Sequence, residues 1–248
     1  MRYHIDTIPV WDAVKAGKGC PLCYLRQTIE EKDVDRFLGG SVMDPDTRIR
    51  VNQKGFCRRH HVMLYAGQNR LGHALMMDSS LIETRARFGR IMEELQQGPK
   101  KKRRLRLPGQ AAPSDEQDRY AELRALSSSC ILCDSIEENL RRYRYTIAYL
   151  YKTDTTFRQA FPNCGFCLDC MAPLLEMAAE ELNGEDLNRM IADLRAGTDR
   201  LLEQEEINLK NFTLLFDYRN AGKTIDGTKG ALEKAVNTMR GRCLAEPD

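Results

Sequence analysis

The chain has 248 residues, 42% of them hydrophobic and 30% charged, with a formal net charge of +2; it is long enough to bury one large core or two smaller ones. No stretch approaches the roughly 18 continuous apolar residues of a membrane span, and no apolar signal region follows Met1-Arg2-Tyr3-His4-Ile5-Asp6, so a cytoplasmic protein with no membrane partner is expected. Lys100, Lys101, Lys102, Arg103, Arg104 and Arg106 place six positive charges in one run and leave the remainder net acidic, which excludes a global electrostatic case for nucleic acid.

In chain order, Ile8, Trp11 and Val14 fall at helical spacing over residues 6 to 16, and Gly17-Lys18-Gly19 ends that helix. Pro21 suits the first turn of a second helix, whose apolar face of Leu22, Leu25, Ile29 and Phe37 runs to Leu38 and stops at Gly39-Gly40. Asp44-Pro45 reads as the N-cap and first residue of a short helix through Val51. Gly55 then turns the backbone so that Cys57 and His60 lie on the first turn of the next helix. Leu71, Leu75, Ile82, Phe88, Ile91 and Leu95 mark a long amphipathic helix over residues 70 to 97. Residues 98–113, with Pro99, Pro108, Gly109 and Pro113 around the basic run, have the composition of an exposed linker.

Ser114-Asp115-Glu116-Gln117 fits a capping box ahead of Tyr120, Leu123 and Leu126. Ile136, Leu140, Tyr143, Ile147 and Leu150 mark a further helix face. Asp154 and Arg158 repeat Asp44 and Arg48, a cap followed by a candidate i,i+4 ion pair. Leu174, Leu175 and Met177 lead to Asn183-Gly184, after which Leu187, Ile191, Leu194, Leu201, Phe212 and Leu215 indicate a long helix. Leu232, Val236 and Met239 indicate a final one. Alternating strand patterns are nearly absent, so the expected fold is all-α.

A duplication organises these elements. Cys20-Pro21-Leu22-Cys23 and Gly55-Phe56-Cys57-Arg58-Arg59-His60 return 110 residues later as Cys130-Ile131-Leu132-Cys133 and Gly165-Phe166-Cys167-Leu168-Asp169-Cys170. Two pairs per copy supply the four donors of a closed tetrahedral site. The expectation is therefore two structural zinc ions, one on Cys20, Cys23, Cys57 and His60 and one on Cys130, Cys133, Cys167 and Cys170. Each ion clamps one duplicated helical hairpin. The domains follow as a first repeat over 1–97, the linker, and a second repeat with C-terminal helices over 114–248. A cysteine at a helix start is favoured as the thiolate that zinc requires.

Rival readings exist at several positions. Cys164 forms an overlapping CxxC with Cys167, but its counterpart is Lys54, so it reads as a spare thiol. His61 competes with His60, although adjacent helical residues point about 100° apart and one alone can face the metal. His4, His73 and Cys243 are isolated. Cys57 with His60 is no nucleophile and base pair, because the repeat replaces His60 by Cys170. Arg141, Arg142, Tyr143, Arg144 and Tyr145 interleave base and aromatic as a single-strand binder does, yet Tyr143 lies on the apolar stripe.

The segments Cys20-Pro21-Leu22-Cys23, Met43-Asp44-Pro45-Asp46-Thr47-Arg48 and Asn52-Gln53-Lys54-Gly55-Phe56-Cys57-Arg58-Arg59-His60 resemble an uncharacterised bacterial family, a domain of unknown function whose members sometimes carry the automatic label ABC transporter substrate-binding protein. The resemblance implies an intracellular helical protein with CxxC and GFCxxH elements and no assigned activity. The expected role is a zinc-stabilised, non-enzymatic protein working through an unidentified protein partner. The alternatives are a nucleic-acid binder using residues 100–106 and a thiol redox or metal sensor using Cys164, Cys167 and Cys170.

Overall fold

The computed structural model describes residues 4–17, 19–97, 115–220 and 222–246. The basic run 100–106 and the capping residue Ser114 lie outside them. Among the described residues there are eleven α-helices, three short 3-10 turns and no strand. They are α1 (His4–Ala16), α2 (Pro21–Leu38), α3 (Pro45–Lys54), α4 (Arg58–Ala66), α5 (Arg70–Gln96), α6 (Asp115–Ser128), α7 (Ile131–Thr153), α8 (Thr155–Ala160), α9 (Leu168–Glu181), α10 (Gly184–Leu214) and α11 (Ala231–Arg240).

The caps form as the repeat anticipates. The Asp44 carboxylate accepts from the Thr47 amide at 3.1 Å, and Asp154 accepts from the amides of Thr156 and Phe157 at 2.9 and 3.1 Å. The expected ion pairs do not accompany them. Arg48 donates to the Leu75 carbonyl, and Arg158 donates to the carbonyls of Tyr151 and Lys152 at 2.8 and 2.7 Å. Those last two carbonyls belong to the final turn of α7, where no intrahelical donor reaches them, while each aspartate is already engaged by backbone amides.

Two compact units result, Met1–Ile29 with Glu137–Asp248 and, separately, Glu30–Ile136. They are not the sequence copies 1–97 and 114–248. Each unit draws one CxxC-bearing segment from the opposite copy, which corrects the expected division at the linker.

In the unit Glu30–Ile136, α3 and α6 pack along α5. Val51, Leu64, Met76 and Leu132 are its most buried apolar residues, and Phe56 stands edge-on to the buried Phe37 with ring centroids 5.7 Å apart. Asn69 caps α5 by accepting from the Gly72 amide and donates to the Leu38 carbonyl at 2.6 Å, joining the ends of two helices.

In the other unit α10 packs against α11 and the turn Phe161–Asn163. Trp11 meets Phe157, and Tyr151 meets Phe161, each at 5.1 Å and edge-on. The Tyr151 hydroxyl donates to Asp193 at 2.6 Å. Arg142 makes two bonds to the buried Asp6, and Arg144 pairs with Glu137. Two arginines of the interleaved stretch 141–145 are thus engaged within the fold rather than presented to a nucleic acid.

Gly197 marks the tightest approach to backbone atoms in this unit. A Cβ there would fall inside the carbonyl oxygen of Cys164 and against that of Pro162, both backbone atoms that cannot swing away. A Cβ on Gly89, inside α5, would meet nothing within 4 Å. In urea denaturation of metal-loaded protein, Gly197→Ala is expected to destabilise by about 1–3 kcal/mol. Gly89→Ala should stabilise by about 0.4–1 kcal/mol through the unfolded chain. A neutral Gly197→Ala would refute the close packing of α10 on the Cys164 turn.

Candidate metal centres

All eight predicted ligands occupy equivalent places on four helices. Cys20, Cys57, Cys130 and Cys167 each immediately precede a helix, and Cys23, His60, Cys133 and Cys170 lie three residues on, in its first turn. The carbonyls of Cys20, Cys57 and Cys130 accept the first helical bonds from Tyr24, His61 and Asp134 at 2.9–3.1 Å. Each helix start therefore aims two donors at one point beside its positive end.

The eight residues form two tetrads, but not the two expected. Cys20 and Cys23 meet Cys167 and Cys170, and Cys57 and His60 meet Cys130 and Cys133, with the four ligand atoms of each set all within 4.8 Å of one another. The grouping of Cys20 with Cys57, and of Cys130 with Cys167, is corrected: each CxxC completes its site with the pair from the opposite copy. Backbone contacts hold this pairing in the unit Glu30–Ile136. The Ile131 amide donates to the Gly55 carbonyl at 3.1 Å, and the Ser129 hydroxyl donates to the Lys54 carbonyl at 2.6 Å. Gly55 takes φ +64, the left-handed conformation that turns the chain into α4. The counterpart of Ile131 is Pro21, which has no amide hydrogen to donate.

In the tetrad of Cys57, His60, Cys130 and Cys133, the imidazole Nδ1 lies 3.2, 3.2 and 3.4 Å from the sulfurs of Cys57, Cys130 and Cys133. Nε2 on the far side lies 3.1 Å from Glu30, whose other oxygen accepts from Arg59 at 2.6 Å. Glu30 and His60 are both buried. Glu30 accordingly holds the hydrogen on Nε2 and leaves Nδ1 as the ligand atom, a carboxylate placement that orients metal-binding histidines. Burial opposes charge on His60, but its bonds to Cys130 and Glu30 outweigh burial and push it up to about 10. Burial also opposes the Cys130 thiolate, yet the His60 bond and the Cys133 amide bring it down to about 6. Burial and the neighbouring Cys130 charge push Cys133 up to about 12.

The second tetrad is all sulfur. Cys23 lies 3.4 Å from Cys167 and 3.8 Å from Cys170. Sulfur hydrogen bonds from Cys167, Cys170 and Cys20, with the backbone amide of Arg242, hold Cys23 well below the usual thiol range. Burial keeps Cys20 up, and the bond to Cys167 keeps Cys170 up. Four sulfurs this close cannot all ionise without a cation among them. A cavity of about 480 Å³ lies against Cys20, Cys23 and Cys167, with Glu205, Lys234 and Arg242 also in its walls.

The rival ligands are placed elsewhere. His61 Nδ1 lies 3.2 Å from His73 Nε2, with the two rings stacked. Cys164 is buried outside both tetrads, and burial pushes its thiol up to about 11. Glu30 is the site residue that sequence reasoning missed. The repeat held a signal for it: where copy one has His60 and Glu30, copy two has Cys170 and Leu140, so the carboxylate is present only where there is a ring to orient.

An all-helical chain with two Cys/His tetrads seated on helix starts defines a helical protein able to hold two metal ions. It belongs to the family of unknown function DUF6062, whose family model matches residues 1–246. It is also similar to an uncharacterized 23.9 kDa protein from the xynA 3' region of Caldicellulosiruptor sp. (strain Rt8B.4), 24% identical over 202 residues that cover 81% of this chain and 84% of that relative. No solved structure matches.

Two substitutions test the assembly. Cys23→Ser combined with Cys170→Ser damages one tetrad in the observed grouping and both in the within-copy grouping, so native mass spectrometry should find one metal ion retained rather than none. Glu30→Ala is expected to weaken metal affinity at the His60 tetrad by about 10–100-fold in chelator competition, leaving the other tetrad unchanged.

Proposed function

We propose that this is a non-enzymatic, zinc-stabilised helical protein, cytoplasmic, holding two structural zinc ions and acting through contact with a protein partner. The observation that carries the reading is the convergence of four donors on each site with nothing left open. Catalytic zinc keeps a position for water or substrate, whereas a full tetrad closes it. Zinc–sulfur bonds of about 2.3 Å imply tetrahedral edges of about 3.8 Å. The sulfur pairs Cys23–Cys167, Cys23–Cys170 and Cys57–Cys133 lie 3.4, 3.8 and 3.7 Å apart, which fits that size. Seven thiolates and one imidazole suit zinc by softness, and no carboxylate enters either set.

Nine free cysteines are in keeping with a reducing compartment. No helix among the described residues is long and apolar enough to cross a membrane. Support for a protein partner comes from Leu71, Leu75 and Ile82, exposed on α5 at spacings that share one helix face.

The test is metal content and its consequence. Native mass spectrometry of protein purified under reductant should show two zinc ions per chain, and one or none would overturn the reading. Structural zinc contributes about 10–16 kcal/mol in small zinc peptides, comparable to the stability of a whole domain. Chelation should therefore abolish the cooperative thermal transition seen by circular dichroism.

A further inference from the structure

The two tetrads differ sharply in how well their sulfurs are covered. Around His60, which with Cys130 is 2% exposed, Cys57 is half-buried and Cys133 is exposed, and those two outer sulfurs lie 3.7 Å apart. In the all-sulfur tetrad Cys20, Cys23 and Cys167 are 8, 7 and 1% exposed, and only Cys170 is half-buried. The cavity beside that tetrad therefore reaches sulfurs that are already largely covered. The Cys23 sulfur also accepts the Arg242 amide, which ties up part of its electron density.

We propose that the tetrad of Cys57, His60, Cys130 and Cys133 is a modification site for hydrogen peroxide, reacting at Cys133 and resolving on Cys57. This rests on zinc occupying the site as described above, because zinc keeps its sulfurs as thiolates whatever their affinity for protons. The Cys133 thiolate attacks one peroxide oxygen, the O–O bond breaks, hydroxide leaves and a sulfenic acid forms. The Cys57 thiolate then attacks that sulfur, forming the disulfide and expelling a second hydroxide. Two electrons pass from the sulfurs to the peroxide, and two protons from solvent convert the hydroxides to two waters. Zinc is left with two of its four donors, Cys130 and His60, and departs. Reactivity is thereby assigned away from the overlapping CxxC of Cys164, Cys167 and Cys170, where Cys164 and Cys167 are buried and Cys164 is no ligand.

The experiment uses the full zinc-loaded chain carrying Cys243→Ser, which removes an exposed thiol outside both tetrads. Zinc is first counted by native mass spectrometry, hydrogen peroxide is added, and zinc release is followed with a colorimetric chelator while disulfides are mapped by peptide mass spectrometry. One zinc should leave at least about tenfold faster than the other, in step with a Cys57–Cys133 disulfide, and return after reduction with dithiothreitol and added zinc. Release of both ions at one rate, or a first disulfide involving Cys164, Cys167 or Cys170, would overturn the proposal and leave the two-zinc reading standing. A starting protein without zinc would overturn both.

Discussion

Bringing the N-terminal ends of two helices together is an unfavourable arrangement, and this protein contains it twice. Each end carries about half a positive charge and amides that no carbonyl satisfies. At one site the ends are those of α2 and α9, at the other those of α4 and α7. Negative sulfurs placed between them reverse the sign of the interaction, and a metal ion held there would allow several sulfurs to be negative together.

The all-sulfur tetrad and the histidine tetrad solve the same problem with different surroundings. Where the ligand is His60, a ring with two nitrogens, a buried acceptor is needed behind it, and Glu30 provides one with Arg59 outside. Where the ligand is Cys170 no orientation needs enforcing, and the equivalent position is the buried Leu140. The substitution of one ligand is thus matched by a second substitution 30 residues earlier in the same copy, which preserves a buried environment without an unpaired charge.

Much of this was legible in the residues. Helical spacing, the Asp44 and Asp154 caps and the glycine stops placed the helices closely, because those signals are local and each carries its own physical cause. That these eight Cys and His side chains would converge in fours was equally legible. Their grouping was not: equal spacing within each copy made the within-copy tetrads look complete, and nothing in a one-dimensional repeat distinguishes a site closed inside a copy from one closed between copies. The roles of Arg48 and Arg158 were hidden for a related reason: Arg158 meets carbonyls freed where α7 ends, and Arg48 reaches the carbonyl of Leu75, 27 residues away within α5.

The exchange of ligands between copies has a consequence for the order of events at the ribosome. Cys23 lies 144 residues from Cys167, and His60 lies 70 from Cys130. When the first copy has emerged it displays Cys20, Cys23, Cys57 and His60 together, a complete donor set with neither correct partner yet made. A metal ion captured then would be held by four donors that belong to two different tetrads, and the observed grouping would require that ion to be surrendered as the second copy appears. A metal ion that arrives before the second copy is made would therefore compete with correct assembly, however tightly the finished tetrads would hold it.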